Sequence, residues 1–167
     1  CIFNHKEMTV YHGSTEEIIC PLVNVGRRNL DFGQGFYITD LKQQAISWAT
    51  RPANQGQKKF LNVYELDIDG IYLSDYHILY FDKYGREWLD FVVANRKGES
   101  LWKKYDLIEG GIANDRVFNT VELYAANLIT AEEALQRLGY HKPNNQICIT
   151  NQEIIERYLH YTESIEI

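Results

Sequence analysis

The chain has 167 residues, 45% of them hydrophobic, with a formal charge of −6 and a pI near 5.4. That length holds one core and is short for two ordinary domains, and the negative balance excludes a general field that attracts nucleic-acid backbones. No apolar run reaches the roughly 18–20 residues that span a bilayer, no signal peptide is visible, and three irregularly spaced cysteines fit a reducing compartment, so a soluble cytoplasmic protein without metal or membrane is expected.

Residues 1–7 precede the single methionine, Met8, and read as an upstream or artificial extension, which leaves 8–167 as one domain. Val10-Tyr11 opens a strand that stops at Gly13-Ser14. Thr15 to Gly35, with Pro21 and three glycines, is mostly loop, and a loop of this length points to function. Phe36 to Thr39 reads as a second strand. Leu41, Ala45, Trp48 and Ala49 then recur at helical spacing, with Asp40 as the expected N-cap and Pro52 beyond the end. From Phe60 the pattern alternates, Tyr64, Leu66 and Ile68 against Glu65, Asp67 and Asp69, which predicts a half-buried strand ending at Gly70.

Residues 71–84 are rich in tyrosine and carry no clear period. A helix is predicted over Glu87–Arg96, and Arg96-Lys97 with Lys103-Lys104 reads as a solvated face. Tyr105–Ile108 is a short strand closed by Gly110-Gly111, and residues 115–128 form a helix. Thr130-Ala131-Glu132-Glu133 starts another as a capping box, ending at Gly139. Gln146–Thr150 is a buried strand in which Cys148 is a small hydrophobe, and a last helix from about Asn151 aligns Ile154, Ile155, Tyr158 and Leu159. Strands and helices mix without regular alternation, so the fold class is α+β.

Two segments concentrate chemistry: Tyr11-His12-Gly13-Ser14, and Phe32-Gly33-Gln34-Gly35-Phe36-Tyr37 followed by Ala45 and Trp48. Each has a plain structural reading. His12 can be a satisfied strand-end histidine, Tyr37 a strand aromatic and Trp48 a core anchor, and a Gly-x-Gly without a third glycine is no Rossmann fingerprint. In this order, however, they resemble the ADP-ribosyltransferase superfamily, in its diphtheria-toxin-like and poly(ADP-ribose) polymerase-like branch. The sequence resembles more closely a bacterial family catalogued as domain of unknown function 3990, through Asn29-Leu30-Asp31-Phe32-Gly33, Glu87-Trp88-Leu89-Asp90-Phe91, Asn95-Arg96 and Ala113-Asn114-Asp115-Arg116-Val117-Phe118.

The resemblance implies a split core of two small antiparallel sheets with flanking helices and NAD+ in the cleft between them. It implies that His12 hydrogen-bonds a ribose hydroxyl, that the backbone of Gly13, beside Ser14, pairs with the nicotinamide amide, and that Tyr37, following Gly35, and Trp48 sandwich the nicotinamide. Ala45 stands where the polymerase-like pattern has a serine. The residue at the head of the late strand, where the superfamily has a glutamate, is Gln146, whose neutral amide can hydrogen-bond a hydroxyl but cannot act as a base near neutral pH. Asp115 leads the substitute carboxylates, with an ordinary helix cap as its equal alternative, and Glu122, Asp31 and Asp106 follow. Arg116 reads either as a pyrophosphate ligand or as a surface ion pair, and Arg27 and Arg28 either reach the adenylate side of the dinucleotide or are solvated.

These expectations describe an NAD-dependent transferase that modifies a protein or nucleic-acid acceptor, acting as a bacterial toxin or defence effector restrained by a small antitoxin or immunity partner. An NAD glycohydrolase and a catalytically quiet NAD-binding module are the alternatives.

Overall fold

The computed structural model describes residues 6–113 and 115–167, with Asp115 described by its backbone alone. In chain order the elements are β1 (Met8–Ser14), β2 (Phe36–Ile38), α1 (Lys42–Ala49), β3 (Phe60–Leu66), α2 (Ile68–Tyr72), β4 (Ile78–Tyr80), α3 (Arg86–Arg96), β5 (Leu107–Gly111), α4 (Asp115–Ala125), α5 (Ala131–Leu138), β6 (Asn145–Ile149), α6 (Gln152–Tyr158) and β7 (Leu159–Glu166). One sheet runs β1-β3-β7 and the other β2-β6-β5-β4. The class is α+β as expected.

Alternation along the strands sorts side chains into layers. Val10, Tyr64, Leu66 and Leu159 of the first sheet meet Phe36, Ile38, Leu107, Ile147 and Ile149 of the second in one buried cluster, closed by Ile71 of α2 and Ile154 and Ile155 of α6. On the outer face of the first sheet, Leu61 and Val63 pack against Ala45 and Ile46 of α1. On the outer face of the second, Ile108 and Cys148 meet Trp88, Leu89 and Val92 of α3, Val117 and Val121 of α4, and Ala134 and Leu138 of α5.

Four expectations need correction. The second sheet is not wholly antiparallel, since β4 runs parallel to β5. The alternation from Phe60 ends early: Asp67 accepts the Gly70 N–H at 2.9 Å and starts α2 at Ile68. Leu159 leaves the last helix and begins β7, which pairs with β3 along its length. The N-cap of α1 is not Asp40 but Leu41, which makes no side-chain cap bond, and ahead of the helix the Thr39 hydroxyl accepts from the Leu41 N–H at 3.1 Å. Thr130 does cap α5, accepting from the Glu133 N–H at 3.1 Å, which is the threonine half of the expected capping box. Among the described residues no helix is long and apolar enough to cross a membrane.

Candidate functional site

The two sheets are joined edge to edge at one point. Tyr11 of β1 and Thr39, just beyond β2, exchange both backbone hydrogen bonds, at 2.8 and 3.0 Å. Continued in register, this antiparallel pairing would next bring Gly13 to Tyr37. Instead the strands part. The Tyr37 carbonyl lies 2.5 Å from Nδ1 of His12, so an imidazole side chain stands where the next ladder bond would be. Backbone direction alternates along a strand, so Gly13, like Tyr11, turns its N–H and C=O toward the β2 side, and no β2 partner meets them.

His12 is held firmly in this gap. Its ring lies on Phe36 with centroids 4.4 Å apart. Burial pushes its pKa below the usual 6.5 despite the opposing hydrogen bond to Tyr37, so the imidazole is neutral near pH 7. A carbonyl can only accept, which fixes the proton on Nδ1 and leaves Nε2 as a hydrogen-bond acceptor.

Asn62 of β3 sets the strand end. It is fully buried, donates from Nδ2 to the His12 carbonyl at 3.0 Å and to Ser14 Oγ at 2.8 Å, and accepts at Oδ1 from the Ile18 N–H and Ser164 Oγ. Sequence reading passed over it, although an asparagine in phase with Tyr64 and Leu66, where the strand should be apolar, was a legible signal. Ser14, expected at the ligand, is thereby tied to Asn62 and to the Glu16 carbonyl.

The glycines acquire packing reasons. A Cβ on Gly13 would lie 2.0 Å from the Ala45 carbonyl oxygen, so α1 crosses directly over the strand end, and one on Gly35 would meet Cys148 Sγ and the Ile149 carbonyl oxygen, both at 2.6 Å.

Tyr37 side chain and His12 side chain leave the seam on opposite faces. The Tyr37 ring packs against the helical side, and its hydroxyl, kept protonated by burial, donates to the Gly33 carbonyl at 2.5 Å and accepts from the Phe32 N–H at 3.2 Å. Tyr37 thus braces its own turn. Trp48 is 57% exposed on α1, with the Arg51 guanidinium 3.7 Å from the centre of its ring. Among the described residues no ring pair joins Tyr37 to Trp48.

The expected acids are placed as follows. The side chain of Asp115 lies outside the described residues. Gln146 is half-buried on β6 opposite Gly110. Asp31 pairs with Arg96 at 2.7 Å, and the other side of that guanidinium meets Glu122 at 2.9 Å, so Arg96 is no solvated cation. Asp106 accepts from the His77 N–H and from Asn151. Arg28 and Arg116 are exposed. Cys148 is fully buried, and burial pushes its thiol up to about 12.

A carboxylate missed from sequence is Glu109 of β5, half-buried and bonded by the Tyr72 hydroxyl at 3.3 Å. Burial, opposed by that bond and reinforced by the charge of Asp40, raises its pKa above 4.5. It shares a face with Ile147, toward the intersheet core.

A family model described as "Protein of unknown function (DUF3990)" matches residues 8–161. No curated protein matches, and no solved structure does.

Proposed function

The chain belongs to the family of that description, and on that footing we propose that it binds NAD+ where the two sheets part and transfers ADP-ribose to a macromolecular acceptor. The observation that carries the reading is the seam itself: a neutral His12 with Nε2 free to accept, beside a Gly13 backbone that offers one donor and one acceptor to the gap. A ribose hydroxyl donates to the first. A carboxamide, which has both a donor and an acceptor, matches the second. This complementarity also supports an ADP-ribosyltransferase-like split-sheet fold, cleft between the sheets included.

In the reaction the glycosidic bond to nicotinamide breaks, the bonding pair leaves with neutral nicotinamide, and positive charge develops on the ribose until the acceptor's nucleophile attacks. His12 and Gly13 orient the two halves of that bond. A carboxylate must take the acceptor's proton, and Asp115 at the start of α4 is the proposed group. A chain of this kind would act as a toxin or defence effector with a small inhibitory partner.

Gln146, the second residue of β6, favours one second reading, a module that binds NAD+ without turnover. NAD+ labelled in the adenylate half separates the outcomes. Label on macromolecules means transfer and free labelled ADP-ribose means hydrolysis. Intact NAD+ with binding lost in His12→Ala means the quiet module, and no His12-dependent binding would remove the site. Because Nε2 accepts only when unprotonated, binding should fall as pH drops through the lowered His12 pKa and be constant above 6.5.

A further inference from the structure

Three residues on one stripe of α1 and its continuation, Gln44, Trp48 and Arg51, are spaced four and three apart and so share a face. Two of them carry orphaned polar atoms. Gln44 Oε1 is a buried acceptor with no donor, and Arg51 Nη1 is a buried donor with no acceptor. Between them stands an exposed indole. A native fold leaves few buried polar atoms unpaired, and each such atom needs a cause.

The charges around Arg51 point the same way. Among the described residues no carboxylate pairs with it, and its pKa is depressed by burial first and then by another cation, Arg27 of the 15–35 loop. A guanidinium with a desolvated N–H that also feels a second cation is stabilised when an anion joins it. In a chain of net charge −6 such a pair is not explained by a general excess of cations.

Trp48 defines what accompanies the anion. Arg51 covers one face of the indole at 3.7 Å, and the other face remains for a flat ring. A cationic ring there would face the guanidinium through the indole and compete for the same π electrons, whereas a neutral heterocycle would not. The Gln44 acceptor, one turn before Trp48, calls for an N–H donor on that ring.

We propose that Gln44, Trp48 and Arg51 form an adenine-nucleotide site: the adenine stacks on the free face of Trp48 with its exocyclic amine donating to Gln44 Oε1, and a phosphate pairs with Arg51. The site lies one residue from Ala49, whose Cβ would be 3.0 Å from a Cβ on Gly13, so it adjoins the seam. It deepens the proposed function by assigning the ADP half of NAD+ and moves Trp48 from the nicotinamide to the adenine; it rests on that reading only for which molecule carries the nucleotide.

Trp88 and Trp102 are buried, so Trp48 is a built-in fluorescence reporter. ADP should quench the full chain's solvent-exposed tryptophan signal, and inorganic pyrophosphate should compete. Quenching should vanish in Trp48→Leu, and ADP affinity should fall at least tenfold in Arg51→Gln but only a few-fold in Arg51→Lys. Unchanged fluorescence with ADP, affinity within twofold in an Arg51→Gln that keeps the parent's circular dichroism, or stronger quenching by nicotinamide mononucleotide than by ADP would overturn the site. An adenine oligonucleotide that displaces ADP at lower concentration than NAD+ does would overturn the assignment to NAD+ and give the phosphates a nucleic-acid source. ADP binding through Arg51 without nicotinamide release would leave this site standing and sink the transferase reading.

Discussion

Two arginines set the two halves of the molecule apart. Arg96 sits where the family motifs meet: it pairs with Asp31 and Glu122 and lies over the Phe118 ring, while its neighbour Asn95, fully buried, donates to the Asp31 carbonyl and accepts from the Trp102 N–H. Arg51 has an indole, a second cation and an unpartnered buried N–H. The first region is closed, its charged and amide side chains holding the Asn29–Gly35 turn against α3, with Trp102 Nε1 as the one buried polar side-chain atom left unpartnered there among the described residues. The second is open, and its stability is partly spent on groups that wait for something else. Motif residues can therefore be structural, and a residue outside every motif can be the one that binds.

The comparison breaks first, and most severely, at the closed region. Gly33 has φ +83°, and a Cβ there would lie 1.9 Å from Trp102 Cγ. Gly33→Ala combines left-handed strain of about 1–2 kcal/mol with overpacking of about 1–3 kcal/mol. Denaturant melts should show a loss of several kcal/mol, on the order of 3, with ligand binding lost as well because Tyr37 is tied to the Gly33 carbonyl. A variant as stable as the parent would mean the turn is not held closed.

Replacing each arginine by methionine sharpens the contrast. Arg96→Met leaves the mostly buried Asp31 carboxylate unpaired and should cost roughly 2–4 kcal/mol, toward the lower end because Glu122 remains half-exposed. Arg51→Met removes an unpaired buried donor and a cation–cation contact while keeping apolar contact with Trp48, so it should leave the thermal midpoint unchanged or raise it by about 1–3 °C. Equal losses in the two variants would erase the distinction between them.

How far this was legible in the sequence follows the same division. The helices α3 and α5 and the strands around His12 and Tyr37 were readable because the apolar period, and for α5 the Thr130 cap, agree with the final packing. β7 was not: Leu159 stays in helical phase with Ile155, and only pairing with β3 makes Leu159–Glu166 a strand. Ile68 likewise continues the alternation of Leu66, but the Asp67 side chain turns the chain into α2. His12 and Gly13 were found by resemblance, yet the direction of Tyr37 was available locally, since it alternates with Phe36 and Ile38, the two residues buried between the sheets. Arg51 and Glu109 gave no local signal. What singles them out is a charge partly withdrawn from water with no opposite charge paired to it among the described residues, a property that exists only after folding.

The smallest effect tests whether Glu109 belongs with the open groups. Its carboxyl pKa is raised above 4.5, chiefly by burial, with Asp40 adding to the shift and the Tyr72 hydroxyl opposing it. The folded state therefore holds this proton more tightly than the unfolded chain does. Below pH 4.5 both states carry it and the charge costs nothing. As pH rises through the folded pKa the native protein must ionise a half-buried group, and stability is lost over that window and not regained above it. Glu109→Gln keeps the shape and an acceptor for Tyr72 but cannot ionise, so the thermal midpoints of parent and variant should coincide at pH 4 and separate by pH 7.5, with the variant higher by a degree or two. Tyr72→Phe should widen that separation in the parent background, since it withdraws the hydrogen bond that favours the carboxylate. A variant less stable than the parent at pH 7.5 would show that the charge of Glu109 is compensated in the fold, and would place it with Asp31 among the closed groups.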